Sequence, residues 1–302
     1  MAIKLGSASI SKLYLGSNEI SKAYLGANEV FSSGDTTTFI TTWRTTTPNE
    51  SITIPTNGSG YNYDLTTSDG QTFTSLTGSK TITFATAGDY DVNISGDFPR
   101  IYINNNATNK VKLIDIKQWG NIVWSSFQNA FYGCSNLVGS FTDAPNLTNV
   151  TTLERTFYQC SIFNQNIGSW DVSNVTNMNR TFFQAFAFNQ PIGNWDVSNV
   201  TNMNRTLFQN TNFNQSLNWD VSSATDMSVL LSGATLSTAN YDATLINLES
   251  KLQATYPNGA GYTANISTNF GSSEYTGGGA AATARASLVS NFGWSLVDGG
   301  TA

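Results

Sequence analysis

Three copies of one short motif hold most of the side chains in this sequence that could do chemistry together. Trp170-Asp171-Val172-Ser173 returns as Trp195-Asp196-Val197-Ser198 and again as Trp219-Asp220-Val221-Ser222. If the copies stack, equivalent residues lie about 5 Å apart. Asp171, Asp196 and Asp220 then form a carboxylate row, flanked by Ser173, Ser198 and Ser222 and by the amides Asn174 and Asn199. Such rows suit hydrogen bonding to carbohydrate, or cation binding without any EF-hand-like pattern. Arg155, Arg180 and Arg205 form a second row. Like charges at that spacing repel unless solvated or paired, so two solvated faces, or pairing between the rows, stand beside the ligand reading. The amides could equally satisfy backbone groups at repeat corners. Trp170, Trp195 and Trp219 would stack as well. W-x-V places both large side chains on one face, which favours a core ladder over a sugar-stacking platform. The candidate ligand-facing residues are therefore Asp171, Ser173, Asn174, Asp196, Ser198, Asn199, Asp220 and Ser222.

Other chemistry is excluded by what is missing. The sequence has no histidine, so the commonest general base and metal ligand is gone, along with Ser-His and Cys-His pairs. Cys134 and Cys160 sit at equivalent places in neighbouring repeats. A bond between them is geometrically conceivable, but buried reduced thiols are the expectation. No phosphate loop, metal-ligand cluster or paired-carboxylate constellation is visible. The expectation is a protein that is not an enzyme, with no catalytic residues, metal or cofactor. Net charge is −6 with no Lys/Arg run, which argues against nucleic acid. No apolar stretch nears the roughly 20 residues that span a bilayer, so membrane insertion is not expected.

These rows need elements to hold them. The 25-residue repeat extends backwards: Val150, Leu153, Arg155 and Phe157 precede Val175, Met178, Arg180 and Phe182 by 25 residues, and Phe131-Tyr132-Gly133-Cys134 precedes Phe157-Tyr158-Gln159-Cys160 by 26. A period in this range marks a leucine-rich-repeat type solenoid, in which each rung buries its face against its neighbours. The expected fold is mainly β with some α. It comprises an N-terminal β-meander (1–33), a β-sandwich (34–105), the solenoid (106–234) and a small α/β C-terminal cap (235–302). Ser51–Ile54, Thr81–Phe84 and Tyr90–Ile94 alternate apolar and polar residues between turn signals such as Asn57-Gly58 and Ser68-Asp69-Gly70. Leu245, Leu248 and Leu252, and the Ala-rich stretch 280–291, predict two helices in the cap.

The first 31 residues repeat every ten: Gly6, Gly16, Gly26; Leu5, Leu15, Leu25; Ile10, Ile20, Val30. Short strands with turns such as Ser17-Asn18-Glu19 are expected there. So small a segment cannot bury its own core. It must pack on its own chain or dock on another subunit or a larger assembly, through Leu5, Ile10, Leu13, Tyr14, Leu15, Ile20, Tyr24, Leu25 and Val30.

The repeat F-N-Q-x-I-G-x-W-D-V-S-N-V-T-N-M resembles the BspA-like leucine-rich repeats of bacterial surface proteins. Thr38–Trp43, Ile52–Pro55, Ala87–Gly96 and Phe98–Tyr102 look like the PKD-like domain that often precedes those repeats. Gln118–Ile122 to Cys134–Leu137 is similar to the usual way into the solenoid, and Tyr275 through Asp298-Gly299-Gly300 to the family's C-terminal piece. The sandwich family's W-G-D-G corner stands here as Thr67-Ser68-Asp69-Gly70, with the aromatic lost. The decads resemble the G-S-x-x-I-x-K-x-Y-L-G segments that begin many phage structural and tail proteins. Met1–Ser7 has no continuous apolar region and does not read as a secretory signal. Together these imply a bacteriophage virion structural protein: a tail fibre, head fibre, or decoration or adhesin protein. It would be made in the host cytoplasm, released by lysis and displayed on the virion surface. Residues 1–33 would bind other virion proteins, and the solenoid a host surface glycan or protein. A homo-oligomer is expected, a trimer if a fibre. The alternative is a bacterial cell-surface adhesin of the BspA-like family.

Overall fold

The computed structural model describes residues 36–302 and, ahead of them, the backbone of four short strands: β1 (Leu13–Leu15), β2 (Asn18–Ile20), β3 (Lys22–Leu25) and β4 (Asn28–Ser32). β1 pairs antiparallel with β2, Leu15 opposite Asn18, and β3 with β4, Leu25 opposite Asn28. Asn18 and Glu19, expected in a turn, are thus strand residues. Among the described residues the pairing is two local hairpins, not one meander. Pairing across so short a connection closes the least chain. Of the predicted docking residues, Leu5 and Ile10 lie outside the described residues; Leu13, Tyr14, Leu15, Ile20, Tyr24, Leu25 and Val30 fall within these strands.

The next segment supplies β5 (Phe39–Thr45), β6 (Glu50–Ile54), β7 (Asn62–Thr67), β8 (Thr72–Leu76), β9 (Lys80–Phe84) and β10 (Gly88–Asp97). Alternation decides which faces are buried. In β7, Tyr63, Leu65 and Thr67 are buried while Asn62, Asp64 and Thr66 are exposed. β6 and β9 pair with each other and bury Ile52, Ile54, Ile82 and Phe84. Two further strands, β11 (Leu113–Gln118) and β12 (Val138–Gly139), lie beyond residue 105, yet they complete one six-stranded sheet in the order β12-β11-β5-β10-β7-β8. The sheet therefore runs directly into the repeats. At the exit Gly120 sits at φ +62°, and a Cβ there would lie 2.4 Å from the carbonyl oxygens of Thr37 and Thr38. Only glycine fits such a backbone approach.

The repeats occupy residues 125–234. Buried residues fall at Leu153, Thr156, Phe157 and Cys160, and again at Met178, Thr181, Phe182 and Ala185. That is i, i+3, i+4, i+7, which an extended strand cannot bury on one side. The chain makes successive turns instead, with left-handed residues at Arg155, Arg180 and Arg205 (φ 53°, 55° and 55°) and at Gln159, Gln184 and Gln209 (φ 59°, 55° and 53°). Asn129 and Gly133 hold these places in the first repeat, Val229 and Gly233 in the fifth. Every second amide of the turn donates to the next repeat: Leu153, Arg155, Phe157 and Gln159 to the carbonyls of Asn177, Asn179, Thr181 and Phe183, at 2.7–3.0 Å. Met178, Arg180, Phe182 and Gln184 do the same one repeat on. Where a leucine-rich repeat would place a strand, these repeats meet in single parallel bridges, Thr152 to Asn177 to Asn202 to Asp226.

The interior is stacked by type. Phe131, Phe157 and Phe182 are parallel neighbours at 5.5 and 5.7 Å, as are Phe163, Phe188 and Phe213 at 6.3 and 6.4 Å. The buried hydroxyls of Thr156, Thr181 and Thr206 each reach two backbone carbonyls, so none of the three is orphaned.

The last repeat is covered by helices α1 (Thr238–Thr255) and α2 (Ala280–Ser290) and by four short strands. These are β13 (Ser267–Asn269), β14 (Glu274–Tyr275), β15 (Ser295–Val297) and β16 (Gly300–Thr301), paired in parallel as β13–β15 and β14–β16. Leu231 donates its amide to Asn269 O at 2.9 Å, closing the open end of the stack. Among the described residues the fold is mainly β, with few helices and no closed barrel. Among the described residues no helix is long and apolar enough to cross a membrane.

Candidate binding surface

The F-N-Q motif forms a side-chain ladder along one edge. Asn164 Oδ1 accepts the Asn189 amide at 2.9 Å, and Asn189 Oδ1 accepts the Asn214 amide at 2.8 Å. The Gln190 and Gln215 side chains donate to the same two asparagines. α1 continues the pattern: Ser237 N and Asn240 Nδ2 both reach Asn214 Oδ1, at 2.7 and 2.9 Å. These polar residues are structural adhesive.

The eight candidate ligand-facing residues line a neighbouring corner. Asp171 and Asp196 are exposed, and Asp220 is half-buried. Asp171 Oδ1 accepts the Ser173 amide (3.1 Å) and hydroxyl (2.6 Å), Asp196 takes the same pair from Ser198 (3.1 and 2.7 Å), and Asp220 accepts the Ser222 amide (3.0 Å). The Ser173 hydroxyl and amide hold the Asp171 carboxyl below its ordinary value. Asn174 Nδ2 reaches Thr148 O at 3.2 Å and Asn199 Nδ2 reaches Ser173 O at 2.8 Å. Each residue thus ties a corner turn, and the outer carboxylate oxygens face water. Asp196 and Asp220 meet around a recess of about 220 Å³ that Lys251 of α1 also lines; Asp171 stands apart from it.

The tryptophans lie on the other side of the wall. Trp170, Trp195 and Trp219 are buried, and Trp195 and Trp219 donate Nε1 to Ile167 O (3.1 Å) and Ile192 O (2.9 Å). Both cysteines are free and buried; burial pushes their thiols up, and Cys160 Sγ donates to Phe131 O at 3.1 Å.

A second exposed row escapes the sequence reading. Tyr132, Tyr158, Phe183 and Phe208 are half-buried on the turn face and stack at centroid distances of 4.5, 4.4 and 4.8 Å. Arg155, Arg180 and Arg205 run beside them. Gln159, Gln184 and Gln209 run on the other flank, bonded amide to amide at 2.9 and 2.7 Å. Arg155 pairs with Glu154 at 3.1 Å; Arg180 and Arg205 instead donate to the neutral amides of Asn179 and Asn204, at 3.1 and 2.9 Å. Burial pushes the Tyr158 hydroxyl up, Tyr132 adds to this, and the arginines oppose it, which places the two rows within electrostatic reach. The available signal was the second aromatic of F-Y-G-C, F-Y-Q-C and F-F-Q-A, which points opposite to the first. Where the sheet meets the first repeats, a cleft of about 700 Å³ is lined by paired charges, Arg44 with Asp89 and Lys117 with Asp91, and by exposed Val138 and Ile162.

The repeats are similar in sequence to a known family. Residues 125–244 match the family described as Mycoplasma protein of unknown function, DUF285. The match covers the stacked repeats from the first turn to the start of α1, and fits a BspA-like protein at the family level. It therefore agrees with the surface-protein alternative better than with the virion reading. No curated protein and no solved structure matches the chain. Among the described residues no group of three or more His, Cys, Asp and Glu is placed to hold a metal ion.

Proposed function

We propose that this chain is a bacterial cell-surface adhesin of BspA-like kind, acting by binding rather than catalysis and without cofactor or metal. Its repeats are the binding part, read as a solenoid of rungs. A PKD-like sandwich (34–105) spaces them from the anchoring segment 1–33, and 235–302 caps them. The observation that carries this reading is the family match over residues 125–244. Supporting it, the repeats carry the same side-chain types over three successive steps, aspartate at the corner and arginine on the turn face, as a surface built to engage a host glycan or protein would.

One observation favours a second reading. The ten-residue repeat of residues 1–31, with its two hairpins, is of the kind a tail-fibre, head-fibre or decoration protein would use to dock on other virion proteins. In that reading the chain is a homo-oligomer, a trimer in a fibre.

An antibody to residues 125–234 separates the two. Labelling of intact, unpermeabilised cells, with adherence of beads coated in the full chain to host surface material, is the adhesin result. Absence of the chain from the cell surface, with its detection by mass spectrometry in purified particles and its loss from them on deleting residues 1–31, would replace that reading with the virion one.

A further inference from the structure

We infer that the turn face of the repeats binds a linear anionic polysaccharide, with Arg180 and Arg205 at the centre of the contact. This rests on the adhesin reading and names its ligand class. The protein is acidic, with 14 Lys and Arg against 20 Asp and Glu, yet three of its arginines recur at one repeat position. Arg180 and Arg205 are oriented from below by Asn179 and Asn204, neutral amides that leave the guanidinium charge available. Glu154 partly neutralises Arg155, and Asp226, which accepts from Asn204 and lies within electrostatic reach of Arg205, marks the other rim.

The aromatic row selects among polymers. Tyr158 and Phe183 are stacked at 4.4 Å and 4° between planes, and Phe183 and Phe208 at 4.8 Å and 21°. Phe183 is covered on both faces and Tyr158 and Phe208 on one, which leaves little open ring face for a nucleic-acid base or the apolar face of a neutral sugar to stack on. What the row shows outward is ring edge, the positive rim of the aromatic quadrupole. It also floors the arginines with apolar surface, where charge-assisted hydrogen bonds gain strength. In the glutamine row Gln159 and Gln184 each spend one N–H on the next side chain, and the second is free for a hydroxyl or carboxylate. Charge, ring edge and amide recur together at the rung step. A straight chain bearing anionic groups at even intervals meets that periodicity along its whole length; a folded protein surface does not.

The test uses the purified full chain against immobilised hyaluronate (carboxylate), heparin (carboxylate and sulfate), neutral dextran and duplex DNA. The expected result is binding to one or both acidic polysaccharides, weakened by salt, with little on dextran or DNA; which of the two binds assigns the anion. The double variant Arg180→Asn with Arg205→Asn should weaken binding about a hundredfold, two charge-assisted contacts being removed. Asn129 already holds this left-handed position in the first repeat, so the variant keeps the backbone, checked by an unchanged melting curve. Lys80→Asn, which removes a positive charge in β9 ahead of the repeats, should leave binding unchanged. Failure to bind either acidic polysaccharide, equal binding to DNA or dextran, or indifference to the double variant overturns the inference. If beads coated with the double variant still adhere to host material as well as the parent, the inference falls and the adhesin reading stands; if the parent does not adhere, that reading falls as well.

Discussion

Trp170, Trp195 and Trp219 occupy one place in three repeats, and the structure treats them unequally. Trp219 donates Nε1 to Ile192 O at 2.9 Å. Trp170 Nε1, also buried, has no protein acceptor. Its indole instead sits among Trp119, Phe127, Phe141 and Phe157, with ring centroids 5.4–6.4 Å away. Substituting phenylalanine at either site removes the same atoms and keeps a ring. At Trp219 the change also removes a hydrogen bond with a net contribution of about 1 kcal/mol. Ile192 O keeps the Trp195 amide at 3.2 Å, so no carbonyl is orphaned. At Trp170 it removes a buried, unpaired donor, whose desolvation costs about 1 kcal/mol or more. Common cavity terms aside, Trp219→Phe should be the more destabilising by about 2 kcal/mol, roughly 30-fold in the folding equilibrium. Urea unfolding followed by far-ultraviolet circular dichroism measures this as a difference in midpoint at equal slope. Should Trp170→Phe cost as much as Trp219→Phe, the hydrogen-bond accounting of the core is wrong.

Val229 is a β-branched residue held at φ 50°, a conformation costing about 1–2 kcal/mol that asparagine tolerates; Val229→Asn should raise stability by about 1 kcal/mol in the same titration. Asn189→Ala leaves the Asn214 amide and Gln215 Nε2 without their shared acceptor and should cost about 1–2 kcal/mol, whereas Asn199→Ala, which loses one exposed bond to Ser173 O, should cost clearly less in thermal melts. The Asp298 carboxyl is almost fully buried; burial alone would raise its pKa, but hydrogen bonds from Arg285 and Tyr241 outweigh this and lower it. A carboxyl lowered on folding contributes stability above its unfolded pKa of about 3.9 and loses it as pH falls through the folded value. The melting-temperature gap between the parent and Asp298→Asn should therefore be constant near neutral pH and shrink below about pH 4; a gap unchanged down to pH 2 would remove the pair from the stability account.

Much of this protein was legible in one dimension, because repetition is itself a sequence property. The 25- and 24-residue steps fix which side chains must stack, and W-x-V marks tryptophans that the structure buries. β6, β9 and β10 fall where alternation places them, and both helices of the cap where leucine and alanine spacing places them. The corner aspartates were visible as a row, though not as the acceptors that tie their own turns.

Only the tertiary structure decided the path between repeated anchors. Phe157 and Tyr158 are adjacent and both aromatic, so composition alone offers both to the core. The left-handed backbone at Arg155 and Gln159 turns the chain, and sends one ring inward and the next outward beside the arginines. Such conformations are rare for arginine and glutamine. They are set by amides reaching carbonyls a full repeat away. Local sequence cannot encode a partner 25 residues distant; it becomes a neighbour only once the repeats are stacked.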